Sequence, residues 1–184
     1  MKRNALLQLL NAYNPSEHEI QFKREVIEFI NQHPNCFERS LEIGHITGSA
    51  WLLNKKGTHA LLMHHAKLDR WVQLGGHCDG NPDVLAVAIK EAQEESGIIT
   101  IVPIRMDIFD IDIHLIPENP KEKAHYHYDM RFLLKVVSDE EIVQNSESKE
   151  LRWIAKGDQL PTSSPSVVRM HKKWASLPNL SFDK

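Results

Sequence analysis

The stretch QLGGHCDGNPDVLAVAIKEAQEESGI, Gln73 to Ile98, decides how the chain is read. A glycine-rich bend, Gly75-Gly76, precedes a segment with Leu85, Ala88, Ile89 and Ala92 at helical spacing. Asn81 suits an N-cap, Pro82 the first helical position and Gly97 a C-terminal stop. Glu91, Glu94 and Glu95 then fall on one side of the last turns, since i, i+3 and i+4 share a helix face. That is the wrong end for acids, because a helix dipole is negative at its C-terminus. Two readings of the cluster are open. It is a solvated acidic face, with Lys90 pairing to Glu94, or it is a site for a hard divalent cation such as Mg²⁺ or Mn²⁺.

Working outward, Ser16-x-x-Glu19 has the form of a capping box opening a helix over 17–32, after a first helix over 1–13. His33-Pro34-Asn35 ends it. Residues 46–54 and 58–65 read as strands around an Asn54-Lys55-Lys56-Gly57 turn. Residues 70–74 make a short strand into the glycines. Further strands are expected from Ile98, over 107–116, over 125–137 and over 151–155, with a last helix opened by Ser164-Pro165. In 107–116, Phe109, Ile111, Ile113 and Leu115 alternate with Asp110, Asp112 and His114; in 125–137, His125, His127, Asp129 and Arg131 share a face. If these strands pair, their polar faces join into one Asp/His/Arg patch. The order of elements implies an α/β (α+β) fold without Rossmann alternation.

Composition narrows the function. The 184 residues are 41% hydrophobic and 26% charged, enough for a proper core, and the net charge of −3 offers no general attraction to nucleic acid. No apolar run is long enough to span a bilayer. The N-terminal segment reads as a helix rather than a signal, and two cysteines, Cys36 and Cys78, do not make a disulfide framework; both point to the cytoplasm. Histidine is abundant, at 11 residues. His114, His125 and His127 define an alternative, a zinc-binding protein, because imidazoles two apart on a strand share a side.

The segment Gly76–Ile98 resembles the Nudix box, G-x5-E-x7-R-E-U-x-E-E-x-G-U, with U a bulky apolar residue. Gly76, Glu91, Ala92, Glu94, Glu95, Gly97 and Ile98 fall on its positions; Pro82 replaces the first glutamate and Lys90 the arginine. The resemblance implies a mixed sheet between helices. It divides the chain into an N-terminal helical extension (1–40), a Nudix hydrolase domain (41–160) and a C-terminal helix on the same domain (161–184). It also implies a Mg²⁺- or Mn²⁺-dependent hydrolase of a nucleoside diphosphate linked to another group, with nucleotide-sugar or ADP-ribose-like compounds favoured. By position, Glu91, Glu94 and Glu95 bind the metal, with the Gly76 carbonyl as a further ligand. The general base falls to Glu94 or Glu95, with Glu147 on a later loop as the candidate outside the box. Trp71 is a stacking candidate for a base; His125, His127 and Arg131 either wall the substrate pocket or form a sheet face paired with Asp110 and Asp112. Nudix proteins are often homodimers, which the N-terminal helices can serve. A non-catalytic nucleotide-binding or regulatory module of the same fold is the competing reading, kept open by Pro82 and Lys90.

Overall fold

The computed structural model describes residues 3–120 and 122–178. Helix α1 spans Asn4–Ala12, so the start of the expected first helix, residues 1–2, lies outside the described residues. Ser16 does open a capping box, but the first turn, Glu17–Glu19, is a 3-10 helix and α2 proper is Ile20–Gln32. Glu19 does more than cap. Its carboxylate accepts the Ser16 N–H at 3.1 Å and the Ile111 N–H at 3.0 Å, and the Tyr13 hydroxyl donates to it. On α2, Val26, Phe29 and Ile30 are buried while Ile20 is exposed.

Strand β1 is Gly44–Leu53 and β2 is His59–His65. The turn between them is the expected one: Gly57 has φ +70° and donates its N–H to Asn54 O, and Asn54 Oδ1 accepts the N–H groups of Thr58 and His59 at 2.8 and 3.0 Å. Strand β3 is Arg70–Val72, and the glycines belong to a strand of their own, β4, Leu74–His77. Helix α3 is Val84–Ser96. It starts later than the sequence suggests. Asp83 is the cap, accepting the Ala86 N–H at 3.0 Å, whereas Asn81 Oδ1 accepts the Asp83 N–H in an Asx turn that precedes the helix. At its far end the Gly97 N–H donates to Gln93 O at 2.9 Å, with φ +74°. The remaining elements are β5 (Ile101–Pro103), β6 (Asp110–Ile116), β7 (His125–Val136), β8 (Ser148–Ala155) and α4 (Pro165–Ser176). Strand β8 thus begins three residues earlier than expected.

The strands form an eight-stranded mixed sheet in an α+β fold. Its order is β3-β2-β1-β7-β5, with β4 on β1, β6 on β7 and β8 on β2. Packing divides the chain into two units. The first comprises Met1–Ser49, Gly76–Ala88 and Met106–Phe132; the second comprises Ala50–Gly75, Ile89–Arg105 and Leu133–Lys184. In the first, the opening turn of α3 lies against β1 at Gly48, where a Cβ would come within 2.7 Å of Val84 O. Strand β6 pairs antiparallel with β7, Asp110 opposite Arg131 and His114 opposite His127, which joins the two polar faces. In the second, β2 lies between β3 and β8, and Trp51 and Trp174 are fully buried. No helix among the described residues is long and apolar enough to cross a membrane.

Candidate functional site

The acids on the last turns of α3 lie at different depths. Glu95 is 4% exposed, and its carboxylate accepts the Gly75 N–H at 2.8 Å. Burial, with the charges of Glu91, Glu147 and Glu94 added, pushes its pKa up to about 8 against the opposing Gly75 hydrogen bond. Glu91 is partly buried, and burial raises its pKa too. Lys90 opposes that shift; Glu94 and Glu147 reinforce it. Glu94 is exposed. Lys90 reaches both outer acids, 2.9 Å to Glu94 and 3.1 Å to Glu91, so the i, i+4 pair expected of a surface helix is present.

Glu147 is exposed on the residue before β8, and its charge is felt at Glu91, Glu95 and His65. Its loop is tied down by three hydrogen bonds. Asn145 Nδ2 donates to Glu94 O at 3.1 Å, the Glu147 N–H donates to Asn145 Oδ1 at 2.9 Å, and the Ala66 N–H donates to Glu147 O at 2.8 Å. Four carboxylates therefore converge around one helix end, and one lysine answers them from the edge. The charges that act most strongly on Glu95, the deepest acid, are those of the other three. Gly76 follows Gly75 along β4.

Trp71 is partly exposed on β3, stacked on His64 at 5.2 Å with the Arg152 guanidinium 4.8 Å from its ring centre. Arg131 lies in a different environment from the one a phosphate ligand needs. It is 1% exposed, and its three nitrogens donate to Asp129 (2.8 Å), Asp110 (3.0 Å) and Asp112 (3.2 Å). Burial alone would lower its pKa, but the three aspartates outweigh burial and hold it raised. Asp129 also accepts the hydroxyls of Thr47 and Ser49 at 2.9 and 2.8 Å. The joined polar face of β6 and β7 is thus buried at this end, and each of its carboxylates is hydrogen-bonded to the one guanidinium.

At the other end of that face, His125 and His127 meet two histidines that the strand pattern does not reveal, His45 on β1 and His77 on β4. His127 Nε2 is 3.2 Å from His77 Nε2 and 3.3 Å from His125 Nε2. The His45 ring lies 4.9–5.0 Å from the rings of His77, His125 and His127, and the His114 ring 5.4 Å from that of His127. No sequence-local signal links positions 45, 77 and 127; sheet pairing alone brings them together.

Comparison with known proteins gives one family. The NUDIX domain model matches residues 45–169. No curated protein matches. Among solved structures, a NUDIX-family hydrolase from Clostridium perfringens is 26% identical. The match covers 71% of this chain and 95% of that one, with TM-score 0.51. An Ap4A hydrolase from C. elegans is 16% identical, with 71% and 94% covered and TM-score 0.56. An ADP-ribose pyrophosphatase from Streptococcus suis is 18% identical, with 71% and 88% covered and TM-score 0.51. With the family model spanning more than half of its length and the paired acids of the box gathered at one helix end, the chain belongs to the NUDIX family and is a Nudix-type hydrolase acting on phosphoric anhydride bonds.

Proposed function

We propose that the chain is a Mg²⁺-dependent pyrophosphohydrolase, able to use Mn²⁺, that cleaves a nucleoside diphosphate linked to a second group. Nucleotide-sugar or ADP-ribose-like compounds are favoured over nucleoside triphosphates. One observation carries the reading: Glu95, buried and fixed by the Gly75 N–H, stands among Glu91, Glu94 and Glu147 with its ionised form disfavoured. A hard divalent cation suits this all-oxygen donor set and would restore the charged form. Nudix hydrolases generally use such ions. Glu91, Glu94 and Glu95 would hold the ion, with the Gly76 carbonyl as a further ligand. When bound, it supplies neutralisation of phosphoryl oxygens and a water of lowered pKa.

The chain's own groups supply the rest. The Gly75 N–H orients the Glu95 carboxylate, which would help hold the ion. Lys90, in the place of the family's arginine, steadies Glu91 and Glu94 with a point charge rather than a fork. Glu94 or Glu95 accepts the proton of the attacking water, and Glu147 is the acceptor outside the helix. Trp71 is the proposed stacking surface for a base. His125, His127 and Arg131, packed as described, support the sheet that carries the site rather than offering free donors to a phosphate. We place the hydrolase domain at 41–160, with 1–40 as a helical extension and 161–184 as a C-terminal helix. A cytoplasmic homodimer is the expected form.

The test is a panel of nucleotide-sugars, ADP-ribose, dinucleoside polyphosphates and nucleoside triphosphates with Mg²⁺ or Mn²⁺, following the nucleotide products by chromatography, beside Glu94→Gln and Glu95→Gln. Metal-dependent turnover of a compound with a group beyond the diphosphate, lost in the variants, is expected. Turnover of triphosphates alone, or turnover indifferent to the variants, contradicts the reading.

A further inference from the structure

The histidines at the β1–β4–β7 face are packed in a way that hydrogen bonding does not explain. His125 Nδ1 lies 2.8 Å from Lys123 O, so it carries a proton and donates, and in the neutral tautomer this fixes, Nε2 is the lone pair. That lone pair is 3.3 Å from His127 Nε2, and His77 Nε2 is 3.2 Å from the same atom. One proton on His127 Nε2 can be aimed at only one neighbour. If His77 donates instead, His127 and His125 meet lone pair to lone pair. His45 is 3% exposed, and neither of its ring nitrogens makes a well-formed hydrogen bond, although the Leu41 backbone lies near enough to favour its charged form. A buried imidazole left in that state is costly.

A cation at the centre of the rings would relieve the two short contacts at His127 and give one His45 nitrogen a partner. The ligating atoms of His45, His77 and His127 lie within 4.8 Å of one another. Zinc–nitrogen bonds of about 2.0–2.1 Å in a tetrahedron separate neighbouring nitrogens by about 3.3–3.4 Å, close to the two short contacts here. We propose that His45, His77 and His127, with His125 as fourth imidazole, form a binding site for one zinc ion. The ligands come from β1, β4 and β7, so the ion would tie three strands. The outer hydrogen bond needed to aim a ligand is already present at His125, through Lys123 O. His114, opposite His127, is turned to Asp112, with Nδ1 3.2 Å from Oδ2, and stands outside the set. An all-imidazole set suits zinc and its transition-metal neighbours and is a poor match for Mg²⁺, which separates this site from the carboxylates of α3.

The test uses the tag-free full chain, stripped with a chelator and titrated with Zn²⁺ against a chromogenic competitor. Excess Mg²⁺ is present to occupy the carboxylates. One zinc per chain is expected, with affinity weakened at least ~100-fold in His127→Gln and in His77→Gln, since even outer partners of a ligand are worth 10–100-fold. Glu95→Gln should leave that zinc step unchanged. Should either histidine variant fail to fold, the wild-type chain still decides. Zinc must shift the imidazole ring resonances of four histidines at one equivalent, and the absence of such shifts overturns the site. So does a wild-type chain that takes up no stoichiometric zinc, affinity equal to wild type in both histidine variants, or loss of zinc only in Glu95→Gln.

Discussion

Two groups of crowded carboxylates meet opposite fates in this molecule. Asp110, Asp112 and Asp129 are buried around Arg131, whose guanidinium gives each a hydrogen bond. Glu91, Glu94, Glu95 and Glu147 gather at a helix end with Lys90 at the edge, and the deepest of them is driven toward its neutral form. The first group is built to be left alone, and the second is built to receive something. Clustered acids alone do not mark a functional site; the distinguishing mark is whether the chain holds them around a buried cation bonded to every one of them.

Substitutions should divide along that line. The largest effect is expected on turnover. Glu94→Gln or Glu95→Gln should lower the rate of nucleoside monophosphate formation by about 10²–10⁴-fold, the range for losing a positioned acid–base group, with the unfolding midpoint in the metal-free protein held or raised. The amide that replaces the Glu95 carboxyl keeps an oxygen for the Gly75 N–H, and the site already disfavours the charge. Arg131→Ala should act the other way round. It strands three buried carboxylates and should cost about 3–5 kcal/mol in urea unfolding. Arg131→Lys, which keeps the charge but not the fork, should cost less. If Arg131→Ala leaves stability intact and abolishes only activity, the contrast fails.

A smaller effect follows from pH. The folded-state pKa of Glu95 is raised from its ordinary 4.5 to about 8, so between those values the native chain holds a proton that the unfolded chain has lost. Stability of the metal-free protein should therefore fall as pH rises from about 4.5 through 8. Glu95→Gln should flatten that slope, and added Mg²⁺ should raise the melting temperature more at about pH 8 than at about pH 5; thermal scans check both. The smallest effect is expected at Lys90. Lys90→Ala should cost only about 0.3–0.5 kcal/mol for its exposed i, i+4 pair. It should also tighten divalent-ion binding slightly by removing a competing charge, measurable by Mn²⁺ titration.

How much of this the sequence carries depends on how far apart the partners lie along the chain. The spacing of Glu91, Glu94 and Glu95, the Asn54–Gly57 turn and the stop at Gly97 are local, and period and turn chemistry reveal them. Alternation assigns Asp110, Asp112, Asp129 and Arg131 to joined faces but cannot say that the face is buried, because polarity predicts exposure until the countercharge is matched. The cap of α3 lies two residues beyond the expected one, since Asn81 and Asp83 both cap well and only the Asx turn decides between them. Glu19 reads as a cap; its bond to the Ile111 N–H depends on the packing of α2 against β6. His45 and His77 give no signal at all, because neither lies at a telling spacing from His127.

The most direct test of the central claim is a calorimetric Mn²⁺ titration of the wild-type chain and of Glu91→Gln, Glu94→Gln and Glu95→Gln, in protein whose histidine site has been saturated with zinc. Binding to the wild type, progressively lost in the three variants, is the predicted result. Mn²⁺ binding of equal strength in all four proteins, or none in the wild type, would contradict the account.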